Sequence, residues 1–152
     1  MALGMENGDI IDEQITASSE FDTNHQAANG RLNFTPRNGR TGAWSSKYNN
    51  LAQWLQVDFQ RFTLVTGIST QGRNRHSQFI KGYIISSSEH GKKFQKYLQN
   101  GTVKEFQGNS DRDSVVNHVL FPHISARFIR IHPTAWHKHI SMRVEFYGCY
   151  EK

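Results

Sequence analysis

Apolar residues recur at every second position in several parts of this chain. In residues 54–59, Leu55, Val57 and Phe59 alternate with Gln56 and Asp58, the pattern of a half-buried strand. Near the C-terminus Ile140, Met142, Val144 and Phe146 alternate with Ser141, Arg143, Glu145 and Tyr147. Phe128, Ile129 and Ile131 lie among Arg127, Arg130 and His132, and Pro133 is expected to end that run. Residues 64–68 and 82–87 are shorter β-branched runs. Between them stand turn pairs: Asn29-Gly30, Asn38-Gly39, His90-Gly91, Asn100-Gly101 and Gly108-Asn109. Helical periodicity is almost absent. Many short strands punctuated in this way predict an all-β antiparallel sandwich or barrel. No linker, repeat or low-complexity block divides the chain, so one domain is expected.

Removing the strands leaves long polar stretches at residues 20–30, 39–53 and 73–78, and a turn at residues 136–139. Loops of this length in a compact fold commonly carry function. In the third stretch, Arg73, Arg75 and His76 put two guanidinium groups two residues apart, able to clamp a phosphate, sulfate or carboxylate. The alternative is a solvated turn. In the first, Phe21, Asp22, Asn24 and His25 combine an aromatic face with hydrogen-bonding groups, a mixture suited to a sugar. Phe21 could equally anchor the loop by packing inward. Trp44, Lys47 and Tyr48 are candidates in the second stretch, with Trp44 reading more as an anchor than as a ligand platform. His137 and Lys138 form a basic rim with His139; in extended backbone His137 and His139 would share a face, but zinc needs further ligands that no neighbouring residue supplies. His90, His118, His123 and His132 read as surface or strand-edge residues, and Trp54, Asp58, Arg130 and Arg143 as framework. Asp111 and Asp113 offer too few ligands for calcium.

Length and composition narrow the choice. The 152 residues suit one core, and 12% aromatic residues supply large side chains to fill it. No apolar run approaches the roughly 20 residues of a membrane helix. A net charge of +5 favours anionic partners, whether nucleic acid, acidic lipid or acidic glycan. Nucleic acid is not expected, because the basic residues sit in loops and no recognition motif is present. Nor is catalysis, for want of a nucleophile with its base, a carboxylate pair or a metal centre. No cofactor is expected.

A set of ordered segments adds to this. Residues 3–8 (LGMENG), 14–19 (QITASS), Ala43-Trp44, 53–59 (QWLQVDF), 70–72 (TQG), 128–133 (FIRIHP) and 141–149 (SMRVEFYGC) together resemble the discoidin domain, or coagulation factor V/VIII C-type domain, over residues 3–149. The resemblance implies a jelly-roll, galactose-binding-like β-sandwich with protruding ligand-binding loops at one end, and no enzyme activity. It also implies a secreted module, peripheral at the cell surface and joined to other domains of a larger protein. The ligand implied is an acidic phospholipid headgroup, chiefly phosphatidylserine, or alternatively a galactose-type or acidic glycan, with a protein or matrix partner as a further option. Membrane-binding members of the family, the coagulation-factor C domains above all, carry bulky apolar loop tips. This chain has a shorter first loop and residues 73–76 in place of apolar residues in the third, which counts against deep insertion. Members that bind a C-terminal arginine use an acidic residue in the second loop, where this chain has Asn49 and Asn50. Cys149 matches a closing cysteine that in many members pairs with one just before residue 3, a place held here by Met1-Ala2. The N-terminus lacks the features of a secretory signal, so a signal is expected to have been removed or to lie upstream. Asn33 and Asn100 begin N-x-Thr sequons compatible with secretion.

Overall fold

The computed structural model describes residues 1–151. Its strands are β1 (Ile15–Ala17), β2 (Trp44–Ser45), β3 (Leu55–Gln71), β4 (Phe79–Ser88), β5 (Gln95–Lys96), β6 (Leu98–Gln99), β7 (Thr102–Val103), β8 (Phe106–Gln107), β9 (Val116–His137) and β10 (Ser141–Tyr150). Two 3-10 turns, Asp12–Gln14 and Ala27–Asn29, complete the regular structure. Hydrogen bonding runs in the order β2-β10-β3-β9-β4-β5, with β1 on β3 and β8 on β4, while β6 and β7 form a separate hairpin. Every ladder is antiparallel.

Two long strands build the discoidin-like sandwich by serving both layers. The alternating run at residues 54–59 and the run at 64–68 are not separate strands but halves of β3. The ladder between β3 and β9 breaks between Asp58 and Thr63. There Gln60 takes the left-handed conformation (φ 66°), its N–H donating to Asp58 Oδ1 at 2.7 Å. Residues 55–58 pair with 128–131, and residues 63–70 with 116–126, so the chain turns a corner without leaving the sheet. Pro133 does not end β9 either. It pairs with Tyr83 beside the register shift between Gly82 and Tyr83, where a missing N–H costs the ladder little.

The layers enclose a core that includes Trp44, Leu55, Val57, Phe59, Ile68, Ile85, Ile129, Met142 and Phe146, closed at one side by Leu3, Met5 and Ile10. The outward half of β10 departs from simple alternation, since Ser141, Arg143 and Glu145 are as buried as their apolar neighbours. The Glu145 carboxylate accepts N–H bonds from Gly4, Met5, Glu6 and Phe146, which fastens the N-terminal segment across the strand. Arg143 works in the same way for the loops. Ala2 bridges to Tyr147 and Gly148 N donates to Met1 O, so the two ends of the chain lie side by side, with Cys149 exposed and unbridged.

Candidate functional site

The polar loops meet at one end of the sandwich through a web of backbone bonds. Thr41 N donates to Asn24 O at 2.8 Å, Phe21 N to Ser45 O at 2.9 Å, and Asn74 N to Gly42 O at 3.1 Å. Gly42 is required at that contact, because a Cβ there would lie 2.7 Å from Asn74 O. Within the first loop Asp22 Oδ1 accepts from Asn24 N at 2.9 Å and pairs with His25 Nδ1 at 2.6 Å, a side-chain turn that holds the tip. The His25 bond, and then the Asn24 N–H, keep the Asp22 carboxyl below its ordinary pKa. The third loop closes on itself, with Arg73 N donating to Gln78 O at 2.9 Å and Arg75 in the left-handed region (φ 71°).

Between these loops lies a cleft of about 130 Å³, lined by Phe21, His25, Ser45, Arg73, Gln78 and His139. The Phe21 ring is 51% exposed and meets His25 and His139 edge-on, at centroid distances of 5.0 and 5.6 Å. It therefore anchors the loop and still presents a face to solvent. Arg73 Nη1 donates to Gln78 Oε1 at 3.0 Å, which also accepts from Ser141 Oγ. Arg73 Nε is buried with no partner among the described residues. Burial lowers the guanidinium pKa, partly offset by Asp22. The cleft thus holds a partly desolvated cation, a group whose chemistry suits oxygen anions.

The other candidates divide. Asn24 and Asp22 are exposed at the tip of the first loop; Lys47 and Tyr48 are exposed on the second, and Arg75, His76 and Lys138 on the rim. Burial, then Arg73, His25 and Arg112, lowers the His76 pKa, so this imidazole stands in a positive neighbourhood. Trp44 has no exposed surface, and its Nε1 donates to Ser19 O at 2.9 Å; it is an anchor and leaves the set of possible contacts. His137 and His139 do not share a face. Lys138 is left-handed (φ 66°), so His137 stacks on Phe79 while His139 turns to Phe21 and to Ser46 O, 2.7 Å from its Nε2. Among the described residues no group of three His, Cys, Asp or Glu is placed to hold a metal ion.

His132 is no surface residue. It is half-buried, its Nε2 lies 2.7 Å from Ser86 Oγ, and burial, aided by Arg130 and Lys96, lowers its pKa to about 4. Ser45 and Gln78 line the cleft without having been singled out as contacts from sequence, and His139, read there as part of the basic rim, lines it as well. The first two are uncharged, and only the pairing of β2 with β10 brings Ser45 beside Ser141 and Gln78.

Comparison with known proteins places this architecture. The F5/8 type C domain model matches residues 14–146. Coagulation factor VIII of Homo sapiens is 44% identical over 155 residues, covering 98% of this chain and 6% of that protein. Lactadherin of Rattus norvegicus is 38% identical over 152 residues, covering 97% of this chain and 36% of that protein. Among solved structures, discoidin II of Dictyostelium discoideum superposes with a TM-score of 0.83 at 29% identity, over 91% of this chain and 56% of that one. The chain thus spans only a fraction of each relative's length.

Proposed function

The chain belongs to the F5/8 type C, or discoidin, domain family, and on that footing we propose that it is a non-enzymatic extracellular binding module for acidic cell-surface groups. Its loop end takes the headgroup of a phosphatidylserine-type lipid, and the module lies at the membrane surface as part of a larger secreted protein. The observation that carries this reading is Arg73, half-buried in the loop cleft with Nε unpartnered among the described residues. An entering phosphate or carboxylate restores the hydrogen bonds and charge balance that burial removes, in a charge-assisted contact of about 1.5–3 kcal/mol. Exposed Lys47, Arg75 and Lys138 surround the loop end, and a cation close to an anionic membrane adds about 1 kcal/mol. Arg75 is held left-handed, a conformation costing an ordinary side chain about 1–2 kcal/mol, and such strain gathers at functional loops.

The test is sedimentation with phosphatidylcholine vesicles with and without phosphatidylserine. Wild type should sediment only with the acidic vesicles, and Arg73→Ala should bind them about tenfold to a hundredfold more weakly, the contact energy converted to an equilibrium constant. Equal sedimentation with both vesicle types would refute headgroup recognition.

One observation favours a second reading, a lectin for galactose-type or acidic glycans. The half-exposed Phe21 ring beside Arg73, Gln78 and two imidazoles can stack on a sugar while its hydroxyls are hydrogen-bonded. A glycan array on the same sample separates the readings, since a lectin is retained on sugar regardless of lipid and is released by free sugar. Binding to neither surface would point to a protein partner.

A further inference from the structure

A second concavity, larger than the loop cleft, opens on the domain. It lies on the other flank of the third loop, a groove of about 730 Å³ within the usual range for ligand sites. One wall is Ser77 of the third loop with Phe79 and Lys81 of β4; the other is the segment 107–112 that leads from β8 toward β9. Phe79 and Lys81 stand about 7 Å apart along β4, with Ser77 before them in the third loop, so the groove follows the chain from that loop onto the strand. A flat membrane meeting the tips does not follow it. A linear polymer does.

The 107–112 wall is held in place before any ligand arrives. Gly108 N donates to Lys81 O and Asn109 N to Ile80 O, each at 2.8 Å. The Asn109 side chain, 4% exposed, donates to Thr70 O and Ser114 O, and its Oδ1 has no partner among the described residues. Arg112 O accepts from the buried Arg143 at 3.0 Å. The Arg112 side chain itself, like that of Lys81, is exposed and makes no ion pair among the described residues. The one acid in the groove, Asp111, is occupied by its own turn, accepting from Asp113 N, Ser114 N and Ser114 Oγ. A pre-ordered wall spares the entropy cost of ordering that segment on binding.

We propose that this groove binds a linear sulfated glycan, independently of the loop cleft. Lys81 and Arg112 supply cations for sulfate groups. The exposed Gln107 and Ser110 lie among them as partners for ring hydroxyls, and the stacked Phe79–His137 pair (centroids 4.9 Å apart) gives an apolar side for a sugar ring. Separated cations interleaved with neutral amides and hydroxyls match a chain in which sulfates alternate with hydroxyls. A uniformly charged strand would leave those neutral groups unused.

The test measures binding of a fluorescent heparin-derived octasaccharide and its desulfated counterpart by anisotropy. Wild type should bind the sulfated probe only. Lys81→Ala/Arg112→Ala should bind it at least about tenfold more weakly, with a salt slope reduced by about one to two, since each cation releases counterions. Lys92→Ala/Lys93→Ala, which removes the same charge from the β4–β5 turn, should bind as wild type does, and so should Arg73→Ala. Both side chains changed in the groove are exposed, so the thermal midpoint should hold. The inference is overturned if the groove variant binds like wild type, or if the turn variant loses as much, which would reduce the effect to bulk charge. Because Lys81→Ala/Arg112→Ala should still sediment with phosphatidylserine vesicles, failure here leaves the headgroup reading standing, and the converse also holds.

Discussion

Replacing Arg143 with methionine tests how the loop end is held. The guanidinium is 1% exposed and donates Nε to Gly72 O at 2.7 Å, Nη1 to Phe34 O at 2.9 Å, and Nη2 to Arg112 O and Asp113 Oδ1 at 3.0 Å each. One side chain thereby ties the end of β3 and two separate loops to β10. Methionine keeps most of the volume and strands three carbonyls, each costing about 1–3 kcal/mol if it stays dry. Against this, the variant no longer desolvates a charge, a penalty visible in the lowered Arg143 pKa, which burial causes first and Asp113 partly reverses. Arg112 is exposed, so its carbonyl regains water. The net loss should be about 3–5 kcal/mol, the middle of the range for two carbonyls left dry, since Asp113, 67% exposed, returns to water and is not left as a buried charge. At about 2–4 °C per kcal/mol for a chain of this size, the melting midpoint should fall by roughly 6–20 °C. Urea titration followed by tryptophan fluorescence should give the same loss with an unchanged slope, and Arg143→Lys should recover no more than about half. A loss below about 1 kcal/mol would mean that these carbonyls find water readily and that Arg143 does not organise the loops.

The His132 pKa near 4 makes stability depend on pH. Above about 6.5 the imidazole is neutral in both states; as pH falls from there toward 4 only the unfolded chain takes up the proton, so stability drops by roughly 3 kcal/mol at most, or about 1–2 after solvent screening, and His132→Gln should flatten that stretch of the profile. Gly148→Ala should destabilise by more than about 2 kcal/mol, because a Cβ would fall 1.8 Å from Leu64 O at a φ of 152°; a near-neutral melting midpoint would contradict the bulge geometry. Expressed through a eukaryotic secretory route, the chain should carry a glycan at Asn100, exposed at the tip of the β6–β7 hairpin. Asn33, whose amide is bonded to Gln71 and Glu6, should carry none, and mass spectrometry that finds the reverse would refute this. Tyr48 and Leu51 are 55% and 71% exposed on the second loop, so Tyr48→Ser/Leu51→Ser reports on insertion. If headgroup contacts dominate, vesicle affinity falls less than about threefold, whereas one inserted leucine is worth about 1.5–3 kcal/mol and a far larger drop.

Sequence periodicity carried the strands because burial on one face imposes a period of two, and Leu55, Val57 and Phe59 are buried as that pattern requires. It failed where a second layer covers the outer face. Alternation alone puts Ser141, Arg143 and Glu145 on a solvent face, although Arg143 reads as framework, and loops and the N-terminal segment lie over all three and exchange their water for backbone partners. Polarity records that a residue needs hydrogen bonds, not who supplies them. The joining of two runs into β3, and the passage of β9 through Pro133, were hidden for a related reason. Bulges let a strand absorb residues that read as breakers, and only the partner strand reveals that a ladder continues.

The loop end shows the same division between composition and geometry. Arg73, His25 and Phe21 stood out because charge and aromaticity are visible in a single chain, and the fold does bring them together. Ser45 and Gln78 carry neither mark; they belong to the cleft because β2 pairs with β10 and because Gln78 Oε1 is fixed by Arg73 and Ser141. His137 and His139 looked alike until one left-handed residue, Lys138, sent one ring into the loop cleft and the other into the side groove. That divergence gives the third loop a concave surface on each flank. A positive end on a domain of this kind need not be one site with one ligand. On the two readings proposed, Arg73, desolvated in a cleft that holds little more than a headgroup, and Lys81 with Arg112, solvated along an open groove, select anions by different physics. Depth and hydrogen-bond geometry govern the first, and spacing along a chain governs the second.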